Sequence, residues 1–154
     1  MPKTNRVVLT AALACAIFGG QVALSMDLDQ FKWKNRLLFI FAPHDGDSFF
    51  RALQSEISTQ QGKVSERDLV VFKIFENGPS FMETTRIAPQ PAAAIRDKFE
   101  APVGRFTCVL VGKDGGIKLR QNAQIKLADI FALIDAMPMR QQEMRQKSQS
   151  GELE

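Results

Sequence analysis

Three short, nearly unbroken apolar runs constrain this chain more than anything else in it. Residues 37–41 read LLFIF, 69–75 read LVVFKIF and 106–111 read FTCVLV. Runs of this length, without strict alternation, are what strands need when both faces of their sheet are covered. Punctuation follows the first two: Ala42-Pro43 after one, Asn77-Gly78-Pro79 after the next. Between the runs the period changes. Phe49, Phe50, Leu53 and Ile57 recur at helical spacing through about Gln60, and a polar loop is expected around Gly62. Residues 92–99 suit a second helix with Ile95 and Phe99 inward, opened at its first turn by Pro91.

After the third run, Lys113-Asp114-Gly115-Gly116 is a hairpin turn, because Asp-Gly tolerates the positive φ angles of a tight connection. Residues 117–120 then return antiparallel. Leu127, Ile130, Phe131 and Ile134 form the stripe of a last helix that ends near Met137-Pro138. The expected order is β-α-β-α-β-β-α: two parallel crossovers, a hairpin and a covering helix on a mixed four-stranded sheet. That is the thioredoxin-like α/β arrangement, expected over residues 26–137 as one domain.

The two ends read differently. Lys3 and Arg6 precede an uncharged stretch that lasts to Asp27, and Ala23-Leu24-Ser25 offers small residues where a signal peptidase probes. Residues 1–25 are therefore expected to be a signal peptide, and the protein periplasmic or secreted. An uncleaved anchor over residues 7–26 is the alternative; a lipoprotein reading at Cys15 lacks the leucine expected three residues ahead. The membrane is expected to be met only through this segment. Residues 138–154 are expected to be a polar, partly helical tail, with Glu143 four residues before Lys147.

Charge and cysteine content exclude several functions. The net charge of +3 falls to 18 basic against 17 acidic residues once Lys3 and Arg6 leave with the signal, so no nucleic-acid partner is expected. One histidine and two cysteines are too few for a zinc finger or a disulfide framework. No cofactor and no metal site is expected.

The segments 33–43, 109–120 and 131–140 resemble a bacterial domain-of-unknown-function family with a peroxiredoxin-like thioredoxin fold. That family is related to domains of the animal matrix proteins called coiled-coil domain-containing and sushi-repeat-containing proteins. The resemblance covers nearly all of the mature chain. It implies a fold and an exported setting, and no established reaction.

Thioredoxin-fold enzymes carry their nucleophile in the loop after the first strand, where a helix N-terminus lowers a cysteine's pKa. Here that loop is Ala42-Pro43-His44-Asp45-Gly46-Asp47-Ser48. Asp45 and Ser48 fall on the two cysteine positions of Cys-Gly-Pro-Cys, so dithiol exchange is excluded there. His44, Asp45, Asp47 and Ser48 could form an acid–base pair or hold a metal, but helix capping is the simpler use of Asp and Ser at this point. The cis-proline position of such enzymes falls on Phe106 or Thr107.

Cys108 is the one thiol left after cleavage. By alternation it shares a face with Phe106 and Leu110 and is expected to pack as a small apolar group. Arg105 lies in a region comparable to one where peroxiredoxins hold an arginine. Trp33, between Lys32 and Lys34, is expected to lie as a lid over the first strand. The sequence thus suggests a non-enzymatic module that binds an envelope or extracellular protein. A peroxiredoxin-like oxidoreductase using Cys108 is the alternative.

Overall fold

The structure, a computed structural model, describes residues 26–151. The expected signal segment and its cleavage site lie outside the described residues. Among those described, no helix is long and apolar enough to cross a membrane. A single 3-10 turn, Asp29–Phe31, leads into β1 (Arg36–Ala42). Helices α1 (Ser48–Thr59) and α2 (Gln61–Glu66) follow, then β2 (Leu69–Phe75), β3 (Ser80–Met82) and β4 (Thr85–Ile87). Helix α3 (Pro89–Lys98) precedes β5 (Thr107–Val111) and β6 (Ile117–Gln121), and α4 (Leu127–Asp135) and α5 (Pro138–Gly151) follow.

The sheet is mixed and has six strands, in the order β4-β3-β2-β1-β5-β6. This corrects the expected four. The hairpin of β3 and β4 supplies the difference; its strands are three residues each, too short to show a period of their own. The two expected parallel crossovers are corrected to one. β2 runs parallel to β1, whereas β5 runs antiparallel to it, with Thr107 opposite Phe41. After α3 the chain returns to the C-terminal end of β1 before β5 begins, so β5 must run back down the sheet. Where a polar loop was expected at Gly62, α2 forms instead, with Val64 as its buried residue.

Every residue of β1 is buried, since the sheet is covered on both sides. Successive side chains point to opposite faces. Leu38, Ile40 and Ala42 meet Phe50, Leu53 and Ile57 of α1 and Leu127, Ile130 and Ile134 of α4. Leu37, Phe39 and Phe41 face the α3 layer with Ile95 and Phe99. Phenylalanines fill much of this second layer: the Phe39 ring lies 4.6 Å from Phe72 and 4.4 Å from Phe99, centroid to centroid. Phe31 closes the layer edge-on to Phe72. Trp33 is not the lid over β1. At φ 63° its backbone is left-handed and its side chain is 66% exposed, and Leu28 and Phe31 cover the strand in its place.

Candidate functional site

Thioredoxin-like proteins work at the C-terminal edge of β1 and β2, and here two chain segments are tied together at that edge. The Asn77 N–H donates to the Pro43 carbonyl at 2.9 Å, and the Glu76 N–H to the Ala42 carbonyl at 3.1 Å. The loop from Pro43 to Asp47 is therefore fastened to the end of β2. Within it, Asp47 is the N-cap of α1, accepting from the Phe50 N–H at 2.9 Å. Ser48 follows as the first helical residue. His44 Nδ1 accepts from the Gly46 N–H at 3.1 Å, which folds the imidazole back onto its own loop. His44, Asp45 and Ser48 are exposed. No group of three or more His, Cys, Asp or Glu side chains among the described residues is arranged to hold a metal.

Cys108 lies elsewhere. It pairs across the sheet with Ile40 on one side and Gln121 on the other, and it is fully buried in the layer beneath α1 and α4. Burial disfavours the thiolate and pushes the thiol pKa up to about 12. A nucleophilic cysteine needs the opposite environment. Arg105 is exposed in the loop before β5, and no hydrogen bond or ion pair joins it to Cys108 among the described residues. The structure does not bring Cys108 to the entrance of α1, and the candidates His44, Asp45 and Ser48 do not meet it. Phe49 is 38% exposed beside this loop and packs edge-on against Phe106.

Two further features of the structure have no signal in the sequence. The first is a clamp around Glu76. Its Oε1 accepts from Arg96 at 3.2 Å and from the Gly104 N–H at 2.8 Å. Arg96 also donates to the carbonyls of Ile74 and Ala42, at 3.2 and 3.4 Å. One carboxylate thus fixes α3 and the loop before β5 against the strand ends. Val103, next to Gly104 in that loop, is 81% exposed. A cleft of about 410 Å³ lies beside this clamp, between the end of β2, the β3–β4 hairpin and α3. The second feature is a network of ion pairs at the opposite end of the sheet, around Arg36 and Arg140.

A family described as a domain of unknown function, DUF4174, matches residues 27–143. The chain belongs to this family. Coiled-coil domain-containing protein 80 from Danio rerio is 29% identical over 133 residues, covering 76% of this chain and 15% of that protein. The human sushi repeat-containing protein SRPX is 30% identical over 121 residues, covering 76% of this chain and 26% of that one. The chain thus spans about a quarter or less of the length of these relatives. Among solved structures, the reduced 2-Cys peroxiredoxin of Plasmodium vivax aligns with a TM-score of 0.57 at 14% identity, over 75% of this chain and 84% of that one. Thioredoxin peroxidase I of Plasmodium yoelii gives 0.56 at 14% identity, over 75% and 79%. These likenesses establish a peroxiredoxin-like fold. No cysteine pair accompanies it among the described residues, where Cys108 stands alone.

Proposed function

We propose that this chain is an exported, non-catalytic binding module that engages an envelope or extracellular protein through the C-terminal edge of its sheet. The observation that carries the reading is the exchange of roles at the helix entrance. The places where a thioredoxin-like enzyme would hold its cysteines have Asp45 and Ser48, on either side of the Asp47 cap, while the described cysteine is buried with its pKa raised. A carboxylate bonded to a helix amide satisfies a backbone donor and does not attack a disulfide or a peroxide. Rigid loops and exposed apolar side chains at the same edge, Phe49 and Val103, suit contact with another protein. Export is supported by the pattern of residues 1–25.

The test is thiol reactivity in the folded protein. A thiol-specific disulfide reagent should label Cys108 slowly until denaturant is added, and hydrogen peroxide should not be consumed with a thiol reductant present. Fast labelling together with peroxide turnover that disappears in Cys108→Ala would replace this reading with an oxidoreductase.

A further inference from the structure

We propose that the hollow between the α4–α5 junction and the β5–β6 turn binds a small aliphatic carboxylate. It lies at the end of the sheet opposite the edge assigned to a protein partner, and it does not depend on that reading. The hollow has a volume of about 320 Å³, with Met137, Pro138 and Met139 on one side and Lys113, Asp114 and Lys118 on the other. Arg36 and Gly112 complete its lining. The first observation is an unmet donor. Arg36 is 1% exposed, yet its Nε–H has no hydrogen-bond partner among the described residues. The other two nitrogens are engaged: Nη1 donates to the Arg67 carbonyl at 2.9 Å, and Nη1 and Nη2 both reach Glu143. Arg67 precedes β2, which flanks β1 on one side, while β5 flanks it on the other. In a planar guanidinium the Nε–H lies on the edge away from Nη1. It therefore faces the β5 side, where the hollow is, and a buried charged donor without an acceptor is costly.

Room for an acceptor lies beside that donor. Leu37 pairs with Val111 across the β1–β5 ladder, so Gly112 is the residue next to Arg36. A Cβ at Gly112 would come within 2.5 Å of Lys118 Cε and 2.7 Å of Asp114 Oδ1, and glycine leaves this space open. Charge then selects the acceptor. α5 is 14 residues long and starts at Pro138, so the positive end of its dipole adjoins the hollow. The lining holds three cations, Arg36, Lys113 and Lys118, against one carboxylate, Asp114. Asp114 already accepts from Lys118 and from the Gly116 amide, while Glu143 and Asp68 hold Lys113 from outside the lining. A carboxylate can accept from Arg36 Nε and from the remaining Lys118 protons while its chain lies against the two methionines.

The experiment is a titration of the full chain with hexanoate, followed by NMR of the arginine Nε–H groups and the methionine methyl groups. Saturable shifts are expected at Arg36 Nε and at Met139, with Met82, on the other face of the sheet, unmoved. Hexanamide, the neutral counterpart, should bind about tenfold more weakly or worse, and acetate several-fold more weakly. Lys118→Glu should weaken hexanoate about tenfold, whereas Lys98→Glu on α3 should leave it within about twofold. Both lysines are exposed, so circular dichroism should show unchanged folds. Absence of a shift at Arg36 Nε, equal affinity for hexanamide or for acetate, or equal loss in the two lysine variants would overturn the proposal. Thiol-dependent peroxide turnover would sink the binding-module reading alone and leave this site standing.

Discussion

Arg36, at the first position of β1, holds Glu143 of α5 with two parallel hydrogen bonds of 3.1 and 3.2 Å, across 107 residues of chain. Arg36 is 1% exposed. The Lys113 ammonium reaches the same carboxylate at 2.8 Å, and Arg36 also donates to the Arg67 carbonyl. One turn away, Arg140 is buried and pairs with Glu66 at 2.7 Å and Asp135 at 3.3 Å. Arg140 is the one buried residue of α5, so this helix has no apolar stripe to seat it. Charge pairing seats it instead. Glu143→Ala would leave the buried Arg36 without its counter-charge, at a cost of about 3 kcal/mol. Arg36→Met removes the buried charge along with its partner's attraction and should cost less. Urea denaturation followed by circular dichroism measures both, and equal costs would show that desolvation of Arg36 is not the dominant effect.

The same network makes stability depend on acid. At Glu143 burial raises the pKa, but hydrogen bonds from Arg36 and Lys113 outweigh it and hold the carboxyl below its ordinary 4.5. At Asp135 burial is likewise overcome by Arg67 and Arg140, leaving it below 3.8. At Glu66 the hydrogen bond from Arg140 lowers the value. Each folded pKa is lower than its unfolded counterpart, so the unfolded chain takes up protons first. The contribution is complete above the ordinary values and is lost as pH falls through the folded ones. The urea midpoint should therefore fall as pH drops below about 4.5, and Glu143→Gln should flatten that decline. An unchanged slope in Glu143→Gln would place the acid sensitivity elsewhere.

At the other end of the sheet, a comparison of two aspartates tests what the helix entrance does. Asp47 accepts the Phe50 amide, whereas Asp45 is exposed and makes no side-chain hydrogen bond among the described residues. Asp47→Ala should cost about 1 kcal/mol through loss of the cap. Asp45→Ala should stay within about 0.5 kcal/mol. Thermal melts of the two variants read the difference, and equal losses would mean that the loop has a structural partner for Asp45.

The central strands and helices α1 and α4 were legible because each buries a continuous apolar run or stripe that a period reveals. Alternation along 106–110 also placed Cys108 beside Phe106 and Leu110, and all three share one core layer. The hairpin of β3 and β4 was not legible, since SFM and TRI carry no period and are defined only by backbone pairing, of Met82 with Phe72 and of β3 with β4. Trp33 misled because an aromatic beside an apolar run normally covers it, while the left-handed backbone here turns it out to water. At the site, the capping residues were recognisable as a group, but which aspartate caps depends on loop geometry. Nothing in the sequence around Glu76, Arg96, Arg36 or Glu143 marks their partners, which lie 20 and 107 residues away. Their roles arise from contacts that only the folded chain creates.

Cys108 offers the sharpest test of whether its surroundings are apolar. Its sulfur sits between β1 and β6 under two helices, with no exposed surface. The neighbouring Thr107 hydroxyl is buried and already lacks a hydrogen-bond partner among the described residues. Cys108→Ala removes one polarizable atom and should cost about 1 kcal/mol, in line with small deletions in a packed core. Cys108→Ser keeps nearly the same volume but buries a hydroxyl with no assigned acceptor, at about 2 kcal/mol. The serine variant should therefore melt lower than the alanine variant, although serine is the closer isostere. Thr107→Val, which replaces an unpaired hydroxyl by a methyl group of similar shape, should be neutral or stabilising. If Cys108→Ser instead melted with the wild-type protein, the pocket would have to supply a hydrogen-bond partner at the sulfur position, and a polar partner at that point is what a reactive thiol would require.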